Sequence, residues 1–192
     1  MDKGRLEAFS DGVIAILITI MVLELKVPQG TDWRALQPVV PTLLSYVLSF
    51  IFLGIYWNNH HHMLHTVDRV NGKILWANLH LLFWLSLVPF VTSWTGQYHF
   101  EPLPTALYGG VFIMAALAYT ILQGCIIRFQ DPESKLAMAV GRDLKGKLSI
   151  ALYAGGIFLA AFAHPWLGAS LYVLVAGLWF VPDPRIESRL NP

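Results

Sequence analysis

Six stretches of this chain are long and apolar enough to cross a bilayer, and that restricts its fold more than any other feature. A hydrocarbon core takes about 20 mostly apolar residues per helix, with a working range of roughly 17 to 25. The stretches are approximately Phe9–Val27, Val39–Trp57, Ile74–Trp94, Leu103–Phe129, Leu148–His164 and Trp166–Val181. Within lipid the backbone has no water to bond, so each must satisfy its own amides as an α-helix. The expected fold class is therefore all-α: an integral membrane protein of six transmembrane helices, in a single domain over residues 1–192. The last two helices share the turn Ala163-His164-Pro165-Trp166 and read as a tight hairpin or a re-entrant segment.

Breakers fall between these stretches. Pro28 and Gly30 close the first, Pro38 and Pro41 open the second, Pro102 and Pro104 precede the fourth, and Pro182 and Pro184 end the sixth. Pro89 falls inside the third and should kink it or free a carbonyl. Trp33, Trp57, Trp76, Trp94, Trp166 and Trp179 lie near the expected helix ends, as an interfacial belt would place them.

Only 13% of the 192 residues are charged, against about 25% in soluble domains. The net charge of +1 offers no global field for nucleic acid or acidic partners. The distribution of charge is more informative. Eleven of the thirteen lysines and arginines lie on one side of the expected topology. They are Lys3, Arg5, Arg69, Lys73, Arg128, Lys135, Arg142, Lys145, Lys147, Arg185 and Arg189; Lys26 and Arg34 lie opposite. Both termini are thus expected in the cytoplasm, which an even number of helices requires as well. Cys125, the single cysteine, reads as a small buried hydrophobe. Lys3 and Arg5 before an apolar run resemble a secretion signal, but Asp11 interrupts it and Glu24-Leu25-Lys26 replaces the cleavage site. The segment is expected to stay in the protein.

The segment Arg5-Leu6-Glu7-Ala8-Phe9-Ser10-Asp11-Gly12 runs straight into the first helix. Charged groups at a membrane boundary are costly unless paired. Arg5 and Asp11 are six residues apart, too far to pair on one helix, so partners on other helices are expected. The plainer reading is a helix start capped by Ser10 or Asp11. Further on, Ile16, Ile20 and Leu23 share one stripe, about 10 Å long at 1.5 Å per residue. On its own such a stripe faces lipid or another helix.

The pattern Arg5, Phe9, Ser10, Asp11, followed by Gly12-Val13-Ile14-Ala15-Ile16 and Thr19-Ile20-Met21-Val22-Leu23, resembles the signature of the transmembrane protein 175 family of potassium channels. Trp57, His60 and His61, with Trp76, Asn78 and Pro89-Phe90, extend the resemblance through the first half. It implies a homotetrameric, potassium-selective leak channel whose pore is lined by helix 1 of each subunit. Ile16, Ile20 and Leu23 would form a hydrophobic constriction, and Thr19 would favour potassium. Arg5, Phe9, Ser10 and Asp11 would join His60, His61, Trp76 and Asn78 in a polar network that holds helix 1. In such a tetramer Glu24 is either an acidic ring at the pore mouth or an interfacial carboxylate paired with Lys26. The single-repeat form implies a prokaryotic plasma membrane, with potassium as the permeant ion and no cofactor.

Of the seven histidines, His60, His61, His62 and His65 cluster, and His61 with His65 has metal-ligand spacing. His80, His99 and His164 are too scattered to complete the boxes of a membrane metalloenzyme, so no metal is expected. Neither a nucleophile motif nor a phosphate loop is present, and catalysis is not expected. The alternative function is a proton-coupled secondary transporter or proton pathway, for which Asp11, His80 and Glu24 are few and near the helix ends.

Overall fold

The computed structural model describes residues 3–67, 69–129 and 144–180. Its helices are α1 (Lys3–Leu23), α2 (Val40–His65), α3 (Gly72–Ser86), α4 (Val88–Gln97), α5 (Pro102–Phe129), α6 (Leu144–Phe162) and α7 (Pro165–Phe180), with a short 3-10 helix over Trp33–Val39 before α2. By length and composition, five units can cross a membrane: α1, α2 with its 3-10 lead, α3 with α4, α5, and α6. α7 is a further apolar helix, shorter than these. The chain is an all-α, multi-pass membrane protein.

Helix limits differ from the expected ones where local chemistry intervenes. α1 begins at Lys3, so Ser10 and Asp11 lie two turns inside it and cap nothing. Ser10 Oγ instead donates to Leu6 O at 2.9 Å, the back-bond of a serine within a helix. α2 runs through His65, and its histidine cluster therefore forms the last two turns of a helix. The third apolar stretch is two helices interrupted at Leu87. Pro89 has no N–H to extend α3 and sits in the first turn of α4, where none is needed. The Val88 carbonyl accepts from Thr92 Oγ1 at 2.7 Å, the back-bond of a threonine within a helix. α3 itself is capped by Asn71, which accepts from the Ile74 amide at 2.9 Å. Residues 130–143 and 181–192, with Lys135, Arg142, Arg185 and Arg189 of the charge count, fall outside the described residues.

Packing centres on α5. Phe112, fully buried, stands 4.4 Å from Phe52 of α2, 4.9 Å from Tyr108 and 6.0 Å from Tyr153 of α6, measured between ring centroids. Tyr172 of α7 fits a notch where Gly109 of α5 and Gly156 of α6 leave no room for a side chain. Its hydroxyl donates to Thr105 O at 3.2 Å. Close helix contact through small residues is how membrane helices associate when lipid is as apolar as leucine. Gly168 follows the same rule: a Cβ there would sit 2.5 Å from Gly156 O and 2.8 Å from Ala160 Cβ. α6 and α7 thus form an antiparallel hairpin closed at Ala163-His164, where His164 N donates to Leu159 O at 2.8 Å.

This notch makes a prediction. Gly156→Ala should push the Tyr172 ring off its seat and destabilise the protein by about 1–3 kcal/mol, as overpacking does. Gly124→Ala meets open space and should be neutral or raise stability by up to about 1 kcal/mol through helix propensity. Thermal melts of both variants in detergent will separate packing from propensity; equal midpoints would refute the notch.

Candidate functional site

α1 has two unlike faces. Leu6, Ser10, Ile14, Leu17 and Met21 recur every three or four residues and are buried against α2, α3 and α4. On the other side Ile16 is 56% exposed, Ile20 42% and Leu23 80%, with Thr19 and Gly12 exposed among them. The stripe read from the sequence is thus the face that the protomer leaves uncovered. Thr19 Oγ1 donates to Ile16 O at 2.9 Å. Its proton is engaged within the helix, and its oxygen lone pairs remain for an acceptor role towards the outside.

Which face points outward is set by a buried hydrogen-bond chain. Ser10, Asn78 and His60 are each 1% exposed or less. Asn78 Nδ2 of α3 donates to Ser10 Oγ at 3.0 Å, and Asn78 Oδ1 lies 2.7 Å from His60 Nε2 of α2. An amide oxygen only accepts, so His60 carries its proton on Nε2. Each polar group in the chain has a partner, as burial demands. A second link runs outside it, where Trp57 Nε1 of α2 donates to Asp11 Oδ1 at 3.0 Å. Four of the expected network residues, Ser10, Asp11, His60 and Asn78, are therefore tied to neighbouring helices by these two links.

The other four are placed differently. His61 is exposed and stacks on Trp57, with ring centroids 6.1 Å apart, and on His65 at 6.3 Å. Phe9 and Trp76 are exposed, the latter at 75%. Arg5 is exposed and forms no bond among the described residues; the basic end of α1 is instead tied to α2 by Lys3 Nζ, which donates to His65 O at 2.9 Å. Glu24, just past α1, does not turn to Lys26. Its Oε2 accepts from Ser93 Oγ of α4 at 2.9 Å, and Ser93 accepts from Gln97 Nε2 at 2.8 Å.

Two features escaped the sequence reading. Trp57, one turn before His60, is the donor to Asp11; its position on the same helix was visible, its direction was not. A hydroxyl chain joins Ser49 of α2 to Thr92 of α4 at 2.6 Å and to Tyr108 of α5 at 2.9 Å. Nothing in the spacing of these three residues announces it.

Residues 5–89 match the family model described as endosomal/lysosomal potassium channel TMEM175. A Chryseobacterium protein named as a potassium channel is 57% identical over 191 residues, spanning 100% of this chain and 99% of its own. A Streptomyces collinus potassium channel is 39% identical, over 97% of both chains. The crystal structure of a lysosomal potassium-selective channel TMEM175 homolog from Chamaesiphon minutus superposes with a TM-score of 0.76 at 26% identity, covering 99% of this chain and 98% of that one. The human endosomal/lysosomal proton channel TMEM175 is 29% identical over 114 residues, 53% of this chain and 23% of its own.

Asn78→Leu would leave Ser10 Oγ and His60 Nε2 buried without their shared partner. The expected cost is about 1–3 kcal/mol. Trp57→Phe, breaking a half-exposed bond, should cost no more than about 1 kcal/mol. Thermal midpoints, with amide exchange along the first half of α1, would report both; an Asn78→Leu protein as stable as the parent would show that the chain does not hold α1.

Proposed function

The chain belongs to the TMEM175 family, and from that premise we propose that it is one subunit of a potassium-selective channel conducting passively through a pore built on α1. Relatives named as potassium channels that match it from end to end support the cargo. The observation that carries the pore is the uncovered face of α1, with Ile16, Thr19, Ile20 and Leu23 in one line. Four copies of that face around an axis give a homotetramer in which each protomer contributes one side of the conduit. The protein works in the plasma membrane with both termini in the cytoplasm, as the lysine and arginine asymmetry directs. It is not an enzyme and takes no cofactor; potassium is the permeant ion.

Function follows from dehydration. Rings of Ile16, Ile20 and Leu23 form an apolar collar about 10 Å long, which repels water and ions when narrow and passes them when wide enough to stay wet. The Thr19 ring offers hydroxyl oxygens in place of part of the lost hydration shell, and a weakly hydrated potassium ion accepts that exchange at lower cost than sodium. Glu24, held by Ser93, adds negative charge at the outer mouth and concentrates cations there. Arg5, Phe9, His61 and Trp76, unpartnered in the protomer's polar chain, face a neighbouring subunit or lipid headgroups at the inner boundary. Ser10, Asp11, His60 and Asn78 keep α1 from rotating its collar away from the axis.

The proton pathway is the second reading, supported by the names of vertebrate relatives. A pH gradient imposed without any other permeant ion separates the two: protons as cargo would carry current, and potassium as cargo would not.

In a planar bilayer with potassium on one side and sodium on the other, the reversal potential should favour potassium, and Thr19→Val should move it towards zero. Ile16→Asn lowers the dehydration cost at the collar; a gain of about 1.4 kcal/mol would raise conductance about tenfold. Asp11→Ala should reduce the tetramer fraction or the current. Unchanged conductance in Ile16→Asn would place the constriction elsewhere.

A further inference from the structure

Away from α1, a cavity of about 50 Å³ lies among α2, α5, α6 and α7. At roughly 10–15 Å³ per water, this holds about three to five waters or the head of a small molecule. Its walls combine the apolar Phe52, Ile55 and Ala116 with the polar Tyr56, Ser149 and Tyr153. Tyr153 is 2% exposed, and neither its hydroxyl nor that of Tyr56 forms a hydrogen bond among the described residues. Such a hydroxyl is costly to leave unmet unless something in the cavity bonds it.

The other polar groups around the space are occupied. Trp179 Nε1 donates to Ser149 Oγ at 2.7 Å, which in turn donates to Lys145 O at 2.8 Å. Asn59 Nδ2 bonds Ile55 O at 2.8 Å, and Thr120 Oγ1 bonds Ala116 O at 2.9 Å. Among the described residues no carboxylate or cationic side chain lines the space. Two open phenols, in a wall whose other polar groups are already bonded and whose described residues carry no charge, select a neutral ligand that both donates and accepts: a hydroxyl group on a hydrocarbon body.

We propose that this cavity is a binding site for neutral, hydroxyl-headed lipophiles that reach it from the bilayer, with the head between Tyr56 and Tyr153 and the chain along Ile55 and Ala116. The site is remote from the collar on α1, and its occupancy does not depend on which ion the channel carries.

The probe is 3-azioctanol, an alcohol that forms a covalent adduct on illumination, applied to the full-length protein in lipid nanodiscs. Adducts located by mass spectrometry should concentrate on the peptides bearing Tyr56 and Tyr153, and 1-octanol should compete for them while octane does not. Tyr153→Phe removes one hydrogen bond, worth about 1 kcal/mol, so labelling should saturate at about fivefold higher concentration. Ala116→Leu fills the space and should abolish the site-specific adduct even where Tyr153→Phe is tolerated. Labelling spread over the lipid-facing surface, or unaltered by both variants, would mean that the cavity holds water alone, and the proposal would fall. Channel recordings play no part in this readout, so its failure is distinct from failure of the potassium reading.

Discussion

The side-chain amide of Asn78 bridges Ser10 of α1 and His60 of α2, and the rest of the protomer is arranged around that bridge. In a membrane, apolar faces of a helix differ little in their preference for lipid or protein, so hydrophobicity cannot choose the rotation of α1. A buried hydroxyl, amide and imidazole can. If α1 turns by a quarter, Ser10 Oγ leaves the Asn78 amide that α2 holds through His60, and each group left unmet costs about 1–3 kcal/mol. With the rotation set, Ile14, Leu17 and Met21 must point inward and Ile16, Thr19, Ile20 and Leu23 must point out.

The second half of the chain supplies a frame for this arrangement. Tyr172 locked into the Gly109 and Gly156 notch, with Phe112 among Phe52, Tyr108 and Tyr153, joins α5, α6 and α7 to α2 through shape. The Ser49–Thr92–Tyr108 hydroxyls then bind α4 to the same frame. α4 follows α3 across the interruption at Leu87, with Pro89 in its first turn. The same short helix holds Glu24 through Ser93. α4 thus links the frame to the carboxylate beside the end of α1.

Much of this was legible in the chain itself. Apolar run length located the five units long enough to span, because a bilayer imposes a minimum on it. Helix ends were less legible: α1 starts six residues earlier than expected and α2 ends eight later than expected, since polar residues such as Lys3 and His60 find partners while inside helices. Within the polar network, Ser10, Asp11, His60 and Asn78 could be named from the motif and its resemblance. Trp57 was missed as a donor, because a helix position fixes where an indole starts and not where its N–H arrives. The aromatic core and the cavity beside Tyr153 were invisible for a similar reason: each needs side chains from three or four helices that are far apart in sequence.

Run length, proline placement and the asymmetry of lysine and arginine are one-dimensional properties, and the bilayer reads them directly. They determined that this chain is helical, spans repeatedly and carries an aliphatic stripe with a threonine in its first helix. Only the folded protomer decided that this stripe stays uncovered, that Glu24 belongs to Ser93 and that two tyrosine hydroxyls face a cavity. The difference is directional: hydrophobic burial depends on how much surface is removed from water, whereas hydrogen bonds and steric notches depend on where particular atoms point once the helices have met.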